Sequence, residues 1–168
     1  MKTVDRIVAI WVDGDSCPAP VRELLCRVSR RRGIPVRFCA NRTLPIPTGA
    51  NDGLIEMHLV SGTTVDEYLV EALVEALENP GQEIPLVVTR DIPLAERLVL
   101  QGVATMNDRG RLFERDSIRE LRSLRDAREA IRASGLERMS RASAYGEREL
   151  KRFADALDRF LTQAYRDG

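Results

Sequence analysis

The feature that most narrows what this chain can fold into is the run Ile7 to Val12, in which every side chain is apolar and which stops abruptly at Asp13-Gly14-Asp15-Ser16. A strand with one wet face alternates apolar and polar residues. An unbroken apolar run of strand length, bounded by turn residues, predicts a strand covered on both faces, as in a parallel α/β sheet. A second run of the same kind, Ile84 to Thr89, closes on Arg90-Asp91.

The segments between and around these runs alternate strand with helix. After Ser16, a plausible cap, a helix tolerates Pro18 and Pro20 in its first turn, places Val21, Leu24, Leu25 and Val28 on one side, and ends at Gly33. Pro35 to Ala40 reads as a strand followed by the turn-rich Asn41 to Pro47, and Leu54 to Val60 as a third strand. Thr64-Val65-Asp66-Glu67 has capping-box spacing and opens a helix with Leu69, Val70, Leu73, Val74 and Leu77 at helical intervals, broken at Pro80-Gly81. A helix from about Pro93 to Leu100 and a short strand from Val103 to Met106 complete the series. Beyond Asn107 the pattern changes to an arginine-rich helix over 116–134, a connector over 135–146 and an amphipathic helix over 147–165. The expectation is one structural domain: an α/β core over residues 1–115, with a C-terminal helical extension, 116–168, packed on it.

Composition limits the function. The 26 basic and 26 acidic residues sum to zero, which excludes wholesale coating of a polyanion. The balance hides local structure: residues 27–42 carry six arginines (27, 30, 31, 32, 37 and 42) and no acid. Only Lys2 and Lys151 are lysine, an arginine skew most simply explained by codon composition. Three cysteines, Cys17, Cys26 and Cys39, do not make a secreted disulfide framework. No signal-peptide pattern and no membrane-length apolar run is visible, so a cytoplasmic protein without membrane attachment is expected.

In an open parallel sheet, ligands bind beyond the carboxyl ends of the strands, near the point where strand order reverses. That rule singles out Asp13 and Asp15 after the first strand, Asp91 after the strand that begins at Ile84, and Asp66 at the start of a helix. Carboxylates crowded on one rim repel each other and call for a cation. An all-oxygen ligand set suits Mg²⁺ or Mn²⁺, which can activate water and neutralise phosphodiester charge. Each acid also has a structural explanation: a turn for Asp13-Gly14-Asp15, the helix dipole for Asp66, an N-cap for Asp91.

Other chemistries have less to rest on. Asp13-x-Asp15 would also suit a phosphatase of the haloacid dehalogenase class with Asp13 as nucleophile, but that chemistry normally uses a lysine, and neither lysine follows a later strand, which leaves Arg90 as a substitute. A Cys17–His58 pair would require the fold to bring the single histidine round from a strand. No glycine-rich phosphate loop is present. Arg115, Arg119 and Arg122 share a helix face that could meet phosphate, although neighbouring acids fit intrahelical ion pairs equally well.

Three motifs together, Trp11 to Pro18, Ala40-Asn41-Arg42-Thr43-Leu44, and Val88-Thr89-Arg90-Asp91-Ile92-Pro93-Leu94-Ala95, resemble the YaiI/YqxD family of bacterial proteins. Asn107-Asp108-Arg109-Gly110 and the stretch from Leu124 to Gly135 extend the similarity over nearly the whole chain. The resemblance implies a fold similar to PIN-like nuclease domains, whose rim acids hold Mg²⁺ or Mn²⁺ and cleave RNA, with the first and fourth strands adjacent. It places Asp13, Asp15, Asp66 and Asp91 on the family's acidic positions. One departure is visible: where the family often carries a further Asp just before the position of Asp66, this chain has Gly62-Thr63-Thr64.

The expectation is therefore a PIN-like parallel sheet flanked by helices and a metal-dependent ribonuclease. Asp13, Asp15, Asp66 and Asp91 would hold Mg²⁺ or Mn²⁺, and Asn41, Arg42 and Arg90 would meet the phosphate of RNA. A phosphatase and a catalytically silent RNA-binding module are the alternatives. Pairing of two chains through the C-terminal helices is left open.

Overall fold

The computed structural model describes residues 6–47, 53–79, 81–135 and 144–167. The elements run β1 (Ile7–Asp13), a 3-10 turn (Gly14–Ser16), α1 (Ala19–Arg32), β2 (Val36–Ala40), β3 (Ile55–Leu59), α2 (Val65–Glu78), β4 (Glu83–Val88), α3 (Ile92–Leu100), β5 (Ala104–Met106), α4 (Arg115–Ala133) and α5 (Glu147–Arg166). Most of the connector expected at 135–146, and Pro80 of the expected break, lie outside the described residues.

The five strands form one parallel sheet in the order β3-β2-β1-β4-β5. β1 is central and lies beside β4, as the resemblance implies, with Val12 opposite Val88. Strand order reverses between these two, so the switch point lies beyond Asp13 and Val88. Pro85 is accommodated inside β4 because its nitrogen faces the side where β5 has not yet begun. Thr89 N–H, in phase with it, donates to Met106 of the β5 side, and the β5 register begins only at Leu86.

The unbroken apolar runs have the cause read from them: helices cover both faces. On one face Val8, Ile10, Val12, Phe38 and Leu86 pack with Val21 and Leu25 of α1 and with Phe153, Leu157 and Leu161 of α5. On the other, Cys39 and Val87 pack with Leu69 and Leu73 of α2 and Leu94 and Leu98 of α3. α4 lies outside α3, where Ile118 and Phe113 meet Ala95 and Val99. Thus α5 completes the central core, whereas α4 covers another helix and leaves Leu124 and Ile131 exposed. No helix among the described residues is long and apolar enough to cross a membrane.

Candidate metal and phosphate site

The carboxyl edge of β1 and β4 opens into a cleft of about 570 Å³. Asp13, Asp15, Asn41, Asp66, Arg90 and Asp91 all line it, together with Ser16, Thr63, Thr64 and Arg125. The elements place them in turn. Asp13 is the last residue of β1, after which the chain folds tightly over the end of β2. A Cβ on Gly14 would lie 2.5 Å from Leu44 Cδ1 and 3.1 Å from the Cys39 carbonyl oxygen, so a larger residue in this turn would have to displace the Leu44 side chain and press on β2.

Asp13 is only 4% exposed. Its Oδ2 accepts hydrogen bonds from Thr89 Oγ1 at 2.8 Å and Ser16 Oγ at 2.9 Å. The Thr89 hydroxyl in turn accepts the Asp91 N–H at 3.0 Å, so one threonine ties together the ends of β1 and β4. Burial pushes the Asp13 carboxyl above its ordinary range, the two hydroxyl hydrogen bonds oppose the rise, and Asp91 and Asp15 add to it. Asp66, in the first turn of α2, is also raised, by burial first and then by Asp91 and Asp13, with Arg97 opposing. Its carboxylate makes no hydrogen bond or ion pair with the described residues.

Asp13, Asp66 and Asp91 thus form a mutually repelling set drawn from three elements. Asp91 also serves as the N-cap of α3, accepting the Leu94 N–H at 3.1 Å, so its capping and rim positions coincide. Asp15 stands to one side, where its carboxylate accepts the Asn41 N–H at 3.3 Å and lies 3.9 Å from Arg42 Nε. Asn41 still lines the cleft; Arg42 does not. The Thr half of the capping box forms, with Thr64 Oγ1 accepting the Glu67 N–H at 3.1 Å. Glu67 does not return the bond, because its carboxylate makes a bidentate pair with Arg97.

Arg90 is fixed by two partners, both outside the residues first singled out. Its Nε donates to Asp108, a carboxylate only 3% exposed just beyond β5, and its guanidinium lies 5.8 Å from the centre of the Tyr145 ring. Asp108 follows the same strand-end rule that picked out Asp13 and Asp91. Thr89 and Ser16 carried no comparable signal, since a hydroxyl beside a strand end is commonplace. Arg125 lines the cleft from α4 and pairs with Glu129 at 2.9 Å. Of the proposed stripe, Arg115 donates to the Leu100 carbonyl and Arg122 pairs with Glu96 and Asp126.

The Cys17–His58 combination does not form. His58 on β3 exchanges hydrogen bonds with Tyr68 and Glu56, both at 2.8 Å, while the buried Cys17 thiol is pushed up to about 12 by burial. The arginines of residues 27–42 are likewise spread over separate surfaces: Arg32 pairs with Asp158 on α5, and Arg37 with Glu83 and Glu56 beside Trp11.

A group of three His, Cys, Asp or Glu side chains arranged to surround one ion is absent among the described residues. The donor set nevertheless fits Mg²⁺ or Mn²⁺ in character. It is all oxygen and anionic, and Mg²⁺ commonly takes one or two protein carboxylates while keeping water and substrate phosphate as its other ligands.

A family model described as "Uncharacterized BCR, YaiI/YqxD family" matches residues 11–163. The chain is similar to a UPF0178 protein of Treponema denticola, 37% identical over 155 residues covering 92% of each chain. It is 38% identical over 158 residues to one of Syntrophobacter fumaroxidans, covering 94% of this chain and 96% of that protein. A UPF0178 protein of Bordetella parapertussis is 39% identical over 150 residues, 89% of this chain and 87% of its own. No solved structure matches significantly.

Proposed function

The chain belongs to the YaiI/YqxD family, and from that footing we propose that it is a Mg²⁺- or Mn²⁺-dependent nuclease acting on RNA in the cytoplasm. The observation that carries the reading is the convergence of Asp13, Asp66 and Asp91 at the β1/β4 switch point, with the carboxyls of Asp13 and Asp66 raised by burial and by their neighbours' charge. Carboxylates kept together at that electrostatic cost are stabilised when a cation joins them.

One or two of Asp13, Asp66 and Asp91 would hold the ion, with Asp15 at the margin. Such an ion supplies Lewis-acid polarisation of phosphate and acidification of water near neutral pH. The protein's own contribution is orientation. Thr89 and Ser16 hold the Asp13 carboxylate in one position, Asp108 and Tyr145 hold Arg90 at the cleft wall, and Asn41 offers a polar side chain at the opposite margin. Arg90 is the best-placed donor to a phosphodiester oxygen, because its guanidinium is pre-positioned rather than recruited.

Calorimetric titration with Mg²⁺ and Mn²⁺, and incubation with single-stranded RNA, test the reading on native protein, Asp13→Asn and Asp91→Asn. The native protein should bind metal and cleave, and both variants should lose metal affinity and cleavage. A native protein that neither binds metal nor cleaves RNA overturns the reading. Hydrolysis of a phosphomonoester with RNA left intact would transfer Asp13 to the role of phosphatase nucleophile. RNA binding without cleavage, unaffected by the two substitutions, would mark a silent binding module.

A further inference from the structure

Arg90 is a shared wall. On one side lies the acidic cleft, and on the other a second cleft of about 330 Å³ that the proposed chemistry does not use. The second cleft joins an apolar wall of Ile92, Phe113 and Leu121 to a cationic rim of Arg90, Arg109 and Arg111.

The rim is built on a turn braced from within. Asn107 Oδ1 accepts the backbone N–H groups of Arg109 at 3.0 Å and Arg111 at 2.8 Å, and the Asn107 N–H donates to the Arg111 carbonyl at 2.9 Å. α5 buttresses the turn from behind: at Gly110, whose φ is +84°, a Cβ would lie 2.6 Å from the Arg152 carbonyl oxygen. Tyr145 Oη donates to the Asp108 carbonyl at 2.7 Å and closes the turn against the segment leading into α5. The Arg111 guanidinium makes no hydrogen bond or ion pair with the described residues, and the residue is exposed.

Arginines displayed on a rigid turn beside an apolar wall offer partners for both parts of a nucleotide, phosphate for the cations and a base or ribose face for the wall. Rigidity reduces what must be ordered on binding. A mononucleotide would occupy one cleft; two clefts divided by one arginine suit a chain. A base can reach the apolar wall only if it is unpaired. We propose that the second cleft is the subsite for the nucleotide next to the scissile phosphodiester, so that the ligand is a single-stranded RNA oligomer held by at least two successive phosphates. The proposal rests on the nuclease reading and deepens it.

Fluorescence anisotropy tests it in an Asp13→Asn background, which removes turnover. The probe is a labelled oligouridylate of about eight nucleotides, with uridine monophosphate as competitor. Arg111→Gln should weaken oligomer binding about fivefold and reduce the slope of log K against log salt by about 0.7, the signature of one lost phosphate contact on a single strand. Arg111→Lys should keep the slope, and the monophosphate, which can engage only one cleft at a time, should compete weakly against the oligomer. An oligomer affinity and salt slope unchanged by Arg111→Gln, or no oligomer binding at all, overturns the proposal. Cleavage is measured separately on the chain with Asp13 intact. Cleavage with an Arg111-independent affinity refutes the second subsite and spares the nuclease reading, whereas Arg111-dependent binding without cleavage refutes the nuclease reading and leaves the second cleft a single-strand binding site with no scissile phosphodiester beside it.

Discussion

Asp13, the last residue of β1, and Thr89, the residue just beyond β4, meet at 2.8 Å, the threonine hydroxyl donating to Oδ2 of a carboxylate that is almost wholly buried. Because the same hydroxyl accepts the Asp91 N–H, it orients two rim acids at once. Thr89→Val keeps the shape and removes both bonds. The variant should lose about 1–3 kcal/mol in urea denaturation through the partners left unsatisfied. It should also lose about 10- to 100-fold in metal affinity or turnover, the usual cost of removing an orienting partner. Thr89→Ser should restore most of both.

Asp13 itself should oppose folding when no cation is present. Burial, reinforced by Asp91 and Asp15, holds its carboxyl above the ordinary 3.8 despite two hydrogen bonds, so the folded protein binds this proton more tightly than the unfolded chain does. The contribution to stability is then fully present below the unfolded value and is lost as pH rises through the folded one. In metal-free protein at pH 7, Asp13→Asn should raise Tm by about 2–4 °C, corresponding to roughly 1 kcal/mol. The difference should shrink as pH is lowered toward 3.8. Thermal melts across that range, in chelator, read both effects.

The cysteines should be inert. Cys17 and Cys39 are buried, and burial pushes both thiols up to about 12, which leaves almost no thiolate at pH 8. Iodoacetamide at pH 8 followed by mass spectrometry should show little labelling of either cysteine in the native protein and full labelling in urea.

The two C-terminal helices should respond differently to truncation. Phe153 of α5 is fully buried against β1 and α1, and Phe153→Ala should cost about 3–5 kcal/mol. Leu124 of α4 is 49% exposed, and Leu124→Ala should change stability by no more than about 0.5 kcal/mol. Chemical denaturation of the two variants provides the comparison.

Much of this arrangement was legible beforehand, because burial on both faces leaves a local signature. The runs Ile7 to Val12 and Ile84 to Thr89 point to strands, and an acid after such a run has few places to be except the sheet edge. That logic points to Asp13, Asp15 and Asp91, the start of a helix points to Asp66, and all four line the cleft. Side-chain partnerships were less legible. Arg42, expected at the phosphate, stands beside Asp15, outside the cleft lining. Arg125 carries no strand-end signal in the sequence, yet it reaches the cleft because α4 packs on α3 with that side turned toward the rim. Asp108, two residues beyond β5, obeys the same strand-end rule as Asp91.

The linear order of residues was enough to set the layers, the parallel sheet and the acids at its edge, since each depends on hydrophobic period and turn chemistry within a short window. Which acids act together was decided only in three dimensions. Thr89 reaches Asp13 across 76 positions, and Arg90 reaches Asp108 across 18. Hydrogen bonds and charges act over a few ångströms of space and are indifferent to separation along the chain, so the order β3-β2-β1-β4-β5 had to form before those residues became a site.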